Sequence, residues 1–82
     1  MKTGWVLITL HDDRGEAPKK VLEEVRTTPG VRCAFIDAQS AQIVAESKEK
    51  QGNLFDQVVE QLRQIDGVKK VEPVEAIVGA FA

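Results

Sequence analysis

The chain has 82 residues, 43% of them hydrophobic and 29% charged, which allows one domain whose core removes only roughly 60–65% of the unfolded surface from water. Eleven basic residues against 13 acidic ones give a net charge of −2, which excludes a protein that grips nucleic acid through a dense basic surface. The single cysteine, Cys33, excludes an internal disulfide, and with no CxxC and no His/Cys pair there is no structural zinc site.

The first predicted element is a strand over Trp5 to Leu10, a nearly continuous apolar run rich in β-branched residues, as expected of a central strand. A polar loop from His11 to Gly15 leads into a helix. Pro18 suits its first turn, where the missing N–H has no partner in any case. Val21, Leu22 and Val25 recur at helical spacing, while Lys19, Lys20, Glu23, Glu24 and Arg26 are the solvated positions. Pro29-Gly30 stops this helix, with Gly30 supplying a left-handed residue. Val31 to Asp37 and Ala41 to Ser47 are read as strands joined by a short turn at Ala38-Gln39-Ser40. A second helix follows, with Asn53 as the expected N-cap, Asp56 in its first turn, and Phe55, Val58, Val59, Leu62 and Ile65 as its apolar stripe. Gly67 ends it, and Val71 to Gly79 is the last predicted strand.

These elements form two copies of one unit, offset by 37 residues. Val6-Leu7-Ile8 falls on Ile43-Val44-Ala45, Val21-Leu22-Glu23-Glu24-Val25-Arg26 on Val58-Val59-Glu60-Gln61-Leu62-Arg63, and Pro29-Gly30-Val31-Arg32 on Asp66-Gly67-Val68-Lys69. The whole chain, 1–82, therefore reads as a single β-α-β-β-α-β domain of the ferredoxin-like α+β class, a four-stranded antiparallel sheet with two helices on one face. The first and third strands are expected in the middle. The fourth is expected at an edge, which suits Pro73 because proline cannot donate on both sides of a ladder.

Strand parity divides the sheet into two faces. Val6, Ile8, Leu10, Ala34, Ile36, Ile43, Ala45 and Val71 fall on one side, to lie under the helices. Trp5, Leu7, Thr9, Cys33, Phe35, Gln42, Val44, Lys70 and Glu72 fall on the other. Within that second set Trp5, Leu7, Phe35 and Val44 make an apolar patch rimmed by polar residues, and patches of this kind mark interaction surfaces. The expectation is a homodimer or higher oligomer formed sheet to sheet.

Little in the chain points to catalysis. His11-Asp12-Asp13 has metal-ligand character, but a site needs three or four convergent ligands and there is no second histidine, so the segment reads as a solvated turn. His11 is the only obvious general base, with no nucleophile placed beside it. Cys33 reads as a small packed hydrophobe. No phosphate-binding loop is present, and Arg32, Lys69, Lys70, Lys19 and Lys20 are too dispersed for a nucleic-acid footprint. No enzyme activity, cofactor, metal or nucleic-acid contact is expected. No apolar run approaches the ~20 residues of a membrane span. The opening Met1 to Trp5 lacks the long apolar stretch and cleavage site of a signal peptide, so a cytoplasmic location is expected.

Two family resemblances follow from these blocks. Val6-Leu7-Ile8, Pro29-Gly30-Val31-Arg32-x-Ala34-Phe35, Ile43-Val44-Ala45-Glu46 and Val59 to Val68 resemble the effector-binding domain of Lrp/AsnC-type regulators, here without a helix-turn-helix ahead of it. That resemblance implies dimers through the sheet, and amino acids or similar small molecules bound near the turn before the third strand. There the family's Gly-x-Tyr/Phe-Asp is replaced by Gln39, Ser40, Ala41 and Gln42, so that Gln39, Ser40 and Gln42 offer neutral donors and acceptors in place of an acidic side chain. The register from Pro29-Gly30 through Asp37-Ala38-x-Ser40-x-Gln42-Ile43-Val44 to Gly67-Val68 also resembles NapD-type maturation chaperones of periplasmic nitrate reductase. This second resemblance implies a cytoplasmic chaperone binding the twin-arginine signal peptide of its client, with Glu46, Glu72 and Glu75 placed to meet a basic peptide. The tyrosine-histidine end often seen on that family's last strand is absent, since the chain reads Val74-Glu75-Ala76-Ile77.

Overall fold

A computed structural model describes residues 2–11, 15–37, 42–50 and 52–75. The elements are β1 (Lys2–Leu10), α1 (Ala17–Thr27), β2 (Val31–Asp37), β3 (Gln42–Ser47), α2 (Gly52–Arg63) and β4 (Val68–Glu75). The strands form one sheet in the order β2-β3-β1-β4, with every neighbouring pair antiparallel. This is the ferredoxin-like topology, with β1 and β3 central and Pro73 on the edge strand β4.

Both helices cover the same face. Val21 and Val25 of α1 share one core with Phe55, Val58, Val59 and Leu62 of α2, and with Val6, Ile8, Leu10, Ala34, Ile43, Ala45 and Val71 from the sheet. Val6, Ile8, Val25, Ile43 and Leu62 are its largest fully buried members. The predicted inward parity is thus observed, with Ile36 only partly buried at the margin.

Several predicted boundaries need correction. β1 begins three residues before Trp5. Asn53 does not cap α2; the helix starts at Gly52, so Asn53 lies in its first turn and Asp56 just past it. α2 also ends at Arg63, and Ile65 reaches the core from the turn that follows, where its N–H donates to the Leu62 carbonyl (3.2 Å). β4 starts at Val68 rather than Val71, while its predicted end at residues 76–79 lies outside the described residues.

The two copies are related by contacts as well as by sequence. Lys48 N–H donates to the Gly30 carbonyl at 2.8 Å, and the positions 37 residues away in each direction, His11 and Gly67, make the same bond at 2.9 Å. Phe35↔Val44 on one side of the sheet corresponds to Leu7↔Glu72 on the other, and Ala34↔Ala45 to Ile8↔Val71. Leu7↔Val44 maps onto itself, so the internal two-fold passes through that pair. Each edge strand also carries a bulge at the same place, between Val31 and Cys33 on β2 and opposite Thr9–Leu10 on β4. A bulge inserts one residue into the alternation. This is why Val31 and Ala34, and likewise Val68 and Val71, are buried three residues apart rather than two.

Gly30 and Gly67 hold equivalent left-handed positions, at φ +92° and +95°. A Cβ at Gly30 would lie 2.5 Å from Val58 Cγ2, and one at Gly67 would lie 3.0 Å from Val21 Cγ2. Each glycine therefore lets a loop approach the helix of the opposite copy, as well as supplying its backbone conformation.

Candidate functional site

The face of the sheet away from the helices is the candidate site, and its residues follow from the strand register. Its middle row runs Phe35, Val44, Leu7, Glu72 across β2, β3, β1 and β4. On one side of that row lie Cys33, Glu46 and Trp5, and on the other Asp37, Gln42, Thr9 and Lys70. Trp5, Leu7 and Val44 are half-buried by their neighbours, whereas Phe35 is 47% exposed. Trp5 reaches across β3 to Phe35 in an edge-to-face contact, ring centroids 6.1 Å apart and planes at 69°. Such a contact adds roughly 0.5–1.5 kcal/mol beyond the area it covers. The four residues expected to form one apolar patch are thus brought together on one face, with no helix over them.

Polar side chains frame this patch. Gln42 Nε2 donates to Thr9 Oγ1 at 2.9 Å. Lys70 Nζ lies 3.1 Å from Glu72 Oε1, and Arg32 Nε lies 3.9 Å from Glu46 Oε1. Surface ion pairs of this kind add little stability. They shape the rim, leaving one carboxylate beside the apolar row, at Glu46, and one at its β4 end, at Glu72. Cys33 is not the packed hydrophobe expected from its strand position. Alternation with Phe35 places it on the open face, where it is exposed with Sγ 3.7 Å from Glu46 Oε1.

The internal two-fold is geometric but not chemical on this face. Trp5 corresponds to Gln42, Phe35 to Glu72 and Cys33 to Lys70. One copy therefore supplies the aromatic corner, and the other the hydrogen-bonding and charged corner.

Of the expected small-molecule ligands, Gln42 sits at the first residue of β3 with its amide on the open face, while Gln39 and Ser40 lie outside the described residues. His11 is exposed just after β1, and its neighbours Asp12 and Asp13 also lie outside them. Among the described residues, no three His, Cys, Asp or Glu side chains converge as a metal site would require. No helix among them is long and apolar enough to cross a membrane.

Residue-type reasoning missed one contact. Arg26, expected as a solvated helix position, sends Nε to the Ala34 carbonyl at 3.1 Å, on the outer edge of β2. Nothing in the local spacing of α1 signals this, because it depends on how closely α1 lies against the edge strand. No protein-family model matches the chain, and no curated protein matches it.

Proposed function

We propose that the protein is a non-catalytic regulatory module that assembles through its open sheet face into a dimer or higher oligomer and binds a small amino-acid-like effector beside the third strand. The observation that carries this reading is the uncovered row Phe35–Val44–Leu7, with Trp5 stacked against it. Burying a fully exposed side chain of this size contributes roughly 1.5–3 kcal/mol, and these are already partly covered, so each gives a fraction of that. Two copies contribute eight such side chains, which supports a reversible, concentration-dependent assembly once association entropy is subtracted. The effector part rests on the side-chain amide of Gln42, together with the amide and hydroxyl of Gln39 and Ser40 and the resemblance to Lrp/AsnC-type effector domains. On this reading the domain works in the cytoplasm.

A second reading is favoured by the carboxylates of Glu46, beside the apolar row, and Glu72, at its β4 end. An amphipathic basic helix would lay its apolar stripe on Phe35, Val44 and Leu7 and its cations against those acids, as a NapD-like chaperone would hold a twin-arginine signal peptide. A thermal-shift panel of amino acids and related metabolites separates the two. An effector present at a hundred times its dissociation constant adds about 2.7 kcal/mol of stability, and Gln42→Ala reduces that shift. A panel with no stabilising metabolite, combined with calorimetric binding of an Arg-Arg peptide that Leu7→Glu abolishes, overturns the effector reading in favour of the chaperone.

A further inference from the structure

The two edges of the sheet are closed by different devices at equivalent positions. Starting from the Lys48 N–H to Gly30 bond and passing through the bulge, alternation along β2 directs the backbone groups of Phe35 toward β3 and those of Ala34 and Ile36 outward. Arg26 confirms the direction by taking the Ala34 carbonyl at 3.1 Å. The same alternation along β4, starting from the His11 N–H to Gly67 bond, turns Val71 and Pro73 outward. Pro73 has no N–H to offer, so β4 is blunted by its own sequence. The residue 37 positions before Pro73 is Ile36, which gives β2 no such protection. Conversely, Arg63 occupies the place of Arg26 in the second copy, but it is held by Glu60 at 2.7 Å instead of covering its strand. Each edge therefore has one guard, the proline ring on β4 and a side-chain hydrogen bond on β2.

We propose that the outer edge of β2 is a strand-addition site for a second copy of this chain, closed in the resting protein by Arg26. β2 suits itself as partner: Val31–Asp37 contains no proline or glycine, and its one cation, Arg32, is balanced by its one anion, Asp37. Antiparallel pairing about Phe35 sets Ala34 opposite Ile36 of the second copy, with the outward backbone groups of both bonded. It also brings the two Phe35 rings face to face across a non-hydrogen-bonded pair, the closest cross-strand spacing. The apolar row of the open face then continues from one sheet into the next. Displacing Arg26 from Ala34, by substitution or by an acidic group competing for its guanidinium, opens the edge.

The test is made in Leu7→Glu protein, in which face-to-face assembly is disabled, so that only edge pairing is read and the outcome is independent of the proposed function. Sedimentation velocity of Arg26→Gln in that background should show association at about a hundredfold lower concentration than Leu7→Glu alone, the order expected when each of the two pairing copies loses one charge-assisted hydrogen bond worth about tenfold. Amide hydrogen exchange at Ala34 and Ile36 should slow with concentration in the same sample. Adding Ile36→Pro should abolish both effects, and Arg63→Gln should produce neither. Arg26→Ala provides a second variant, with circular dichroism verifying the fold of each. Association that is unchanged by Arg26→Gln and Arg26→Ala, or that Ile36→Pro leaves intact, overturns the proposal.

Discussion

At the scale of single residues, the two glycines that let each copy touch the helix of the other give the sharpest stability prediction. Gly30→Ala combines a positive φ of +92° with a Cβ 2.5 Å from Val58 Cγ2, a β-branched side chain buried in α2 with little rotamer freedom to retreat. The expected loss is about 2–4 kcal/mol by urea denaturation. Gly67→Ala meets Val21 Cγ2 at 3.0 Å and should lose measurably less. Equal losses would mean that backbone strain alone governs both sites. Phe35 gives the opposite case. At 47% exposure its replacement by alanine should cost under about 1.5 kcal/mol of fold stability, measured in the monomer, while weakening assembly strongly. Cys33 shows where residue-level reading fails. Free cysteine is usually buried, but this one alternates with Phe35 and so stands on the face that no helix covers.

Between whole elements, β1 was legible as a nearly continuous apolar run and the helix faces from the 3.6 spacing of α1 and α2, while the period of two along a strand assigned its side chains to the two faces. The bulges were less visible, yet a signal exists: Val31 and Ala34 sit three apart in β2, and Val68 and Val71 repeat that spacing in β4. An irregularity that recurs in both copies is a feature of the fold. The Asn53 cap failed for a different reason. A good capping residue tells where a helix is allowed to start, while the chain's path from β3 decides where it does. The edge contacts lead to a paired prediction. Arg26→Ala removes a hydrogen bond to the Ala34 carbonyl and should cost about 1 kcal/mol, whereas Arg63→Ala removes an exposed i,i+3 ion pair and should cost less than about 0.5 kcal/mol. Thermal melts of the two variants in dilute solution compare them directly. A larger loss for Arg63→Ala would contradict the different roles assigned to these equivalent arginines. Within α2, Leu62 is fully buried, and Leu62→Ala should cost about 2–5 kcal/mol by the same measurement.

For the molecule as a whole, a duplicated half-domain builds a sheet with an internal two-fold through Leu7 and Val44, covers one face with both helices, and leaves the other open. Repeat, topology and the division of the faces were all readable in the sequence, since they rest on apolar patterning over long stretches. The chemistry of the site was less readable. Short polar residues such as Gln42 or Glu46 take their meaning from neighbours on other strands, and those neighbours are fixed only once the register is known. The two edges are each blunted, one by Arg26 and the other by Pro73, so the resting molecule has its apolar open face as the surface most suited to association. That claim is tested most directly by sedimentation equilibrium of the native chain and of Leu7→Glu from micromolar to submillimolar concentration. The account predicts that the native chain moves from monomer to dimer mass as concentration rises, while Leu7→Glu keeps its circular dichroism spectrum and stays a monomer in the lower part of that range. A native chain that remains monomeric throughout, or a Leu7→Glu variant that dimerises equally well, would contradict it.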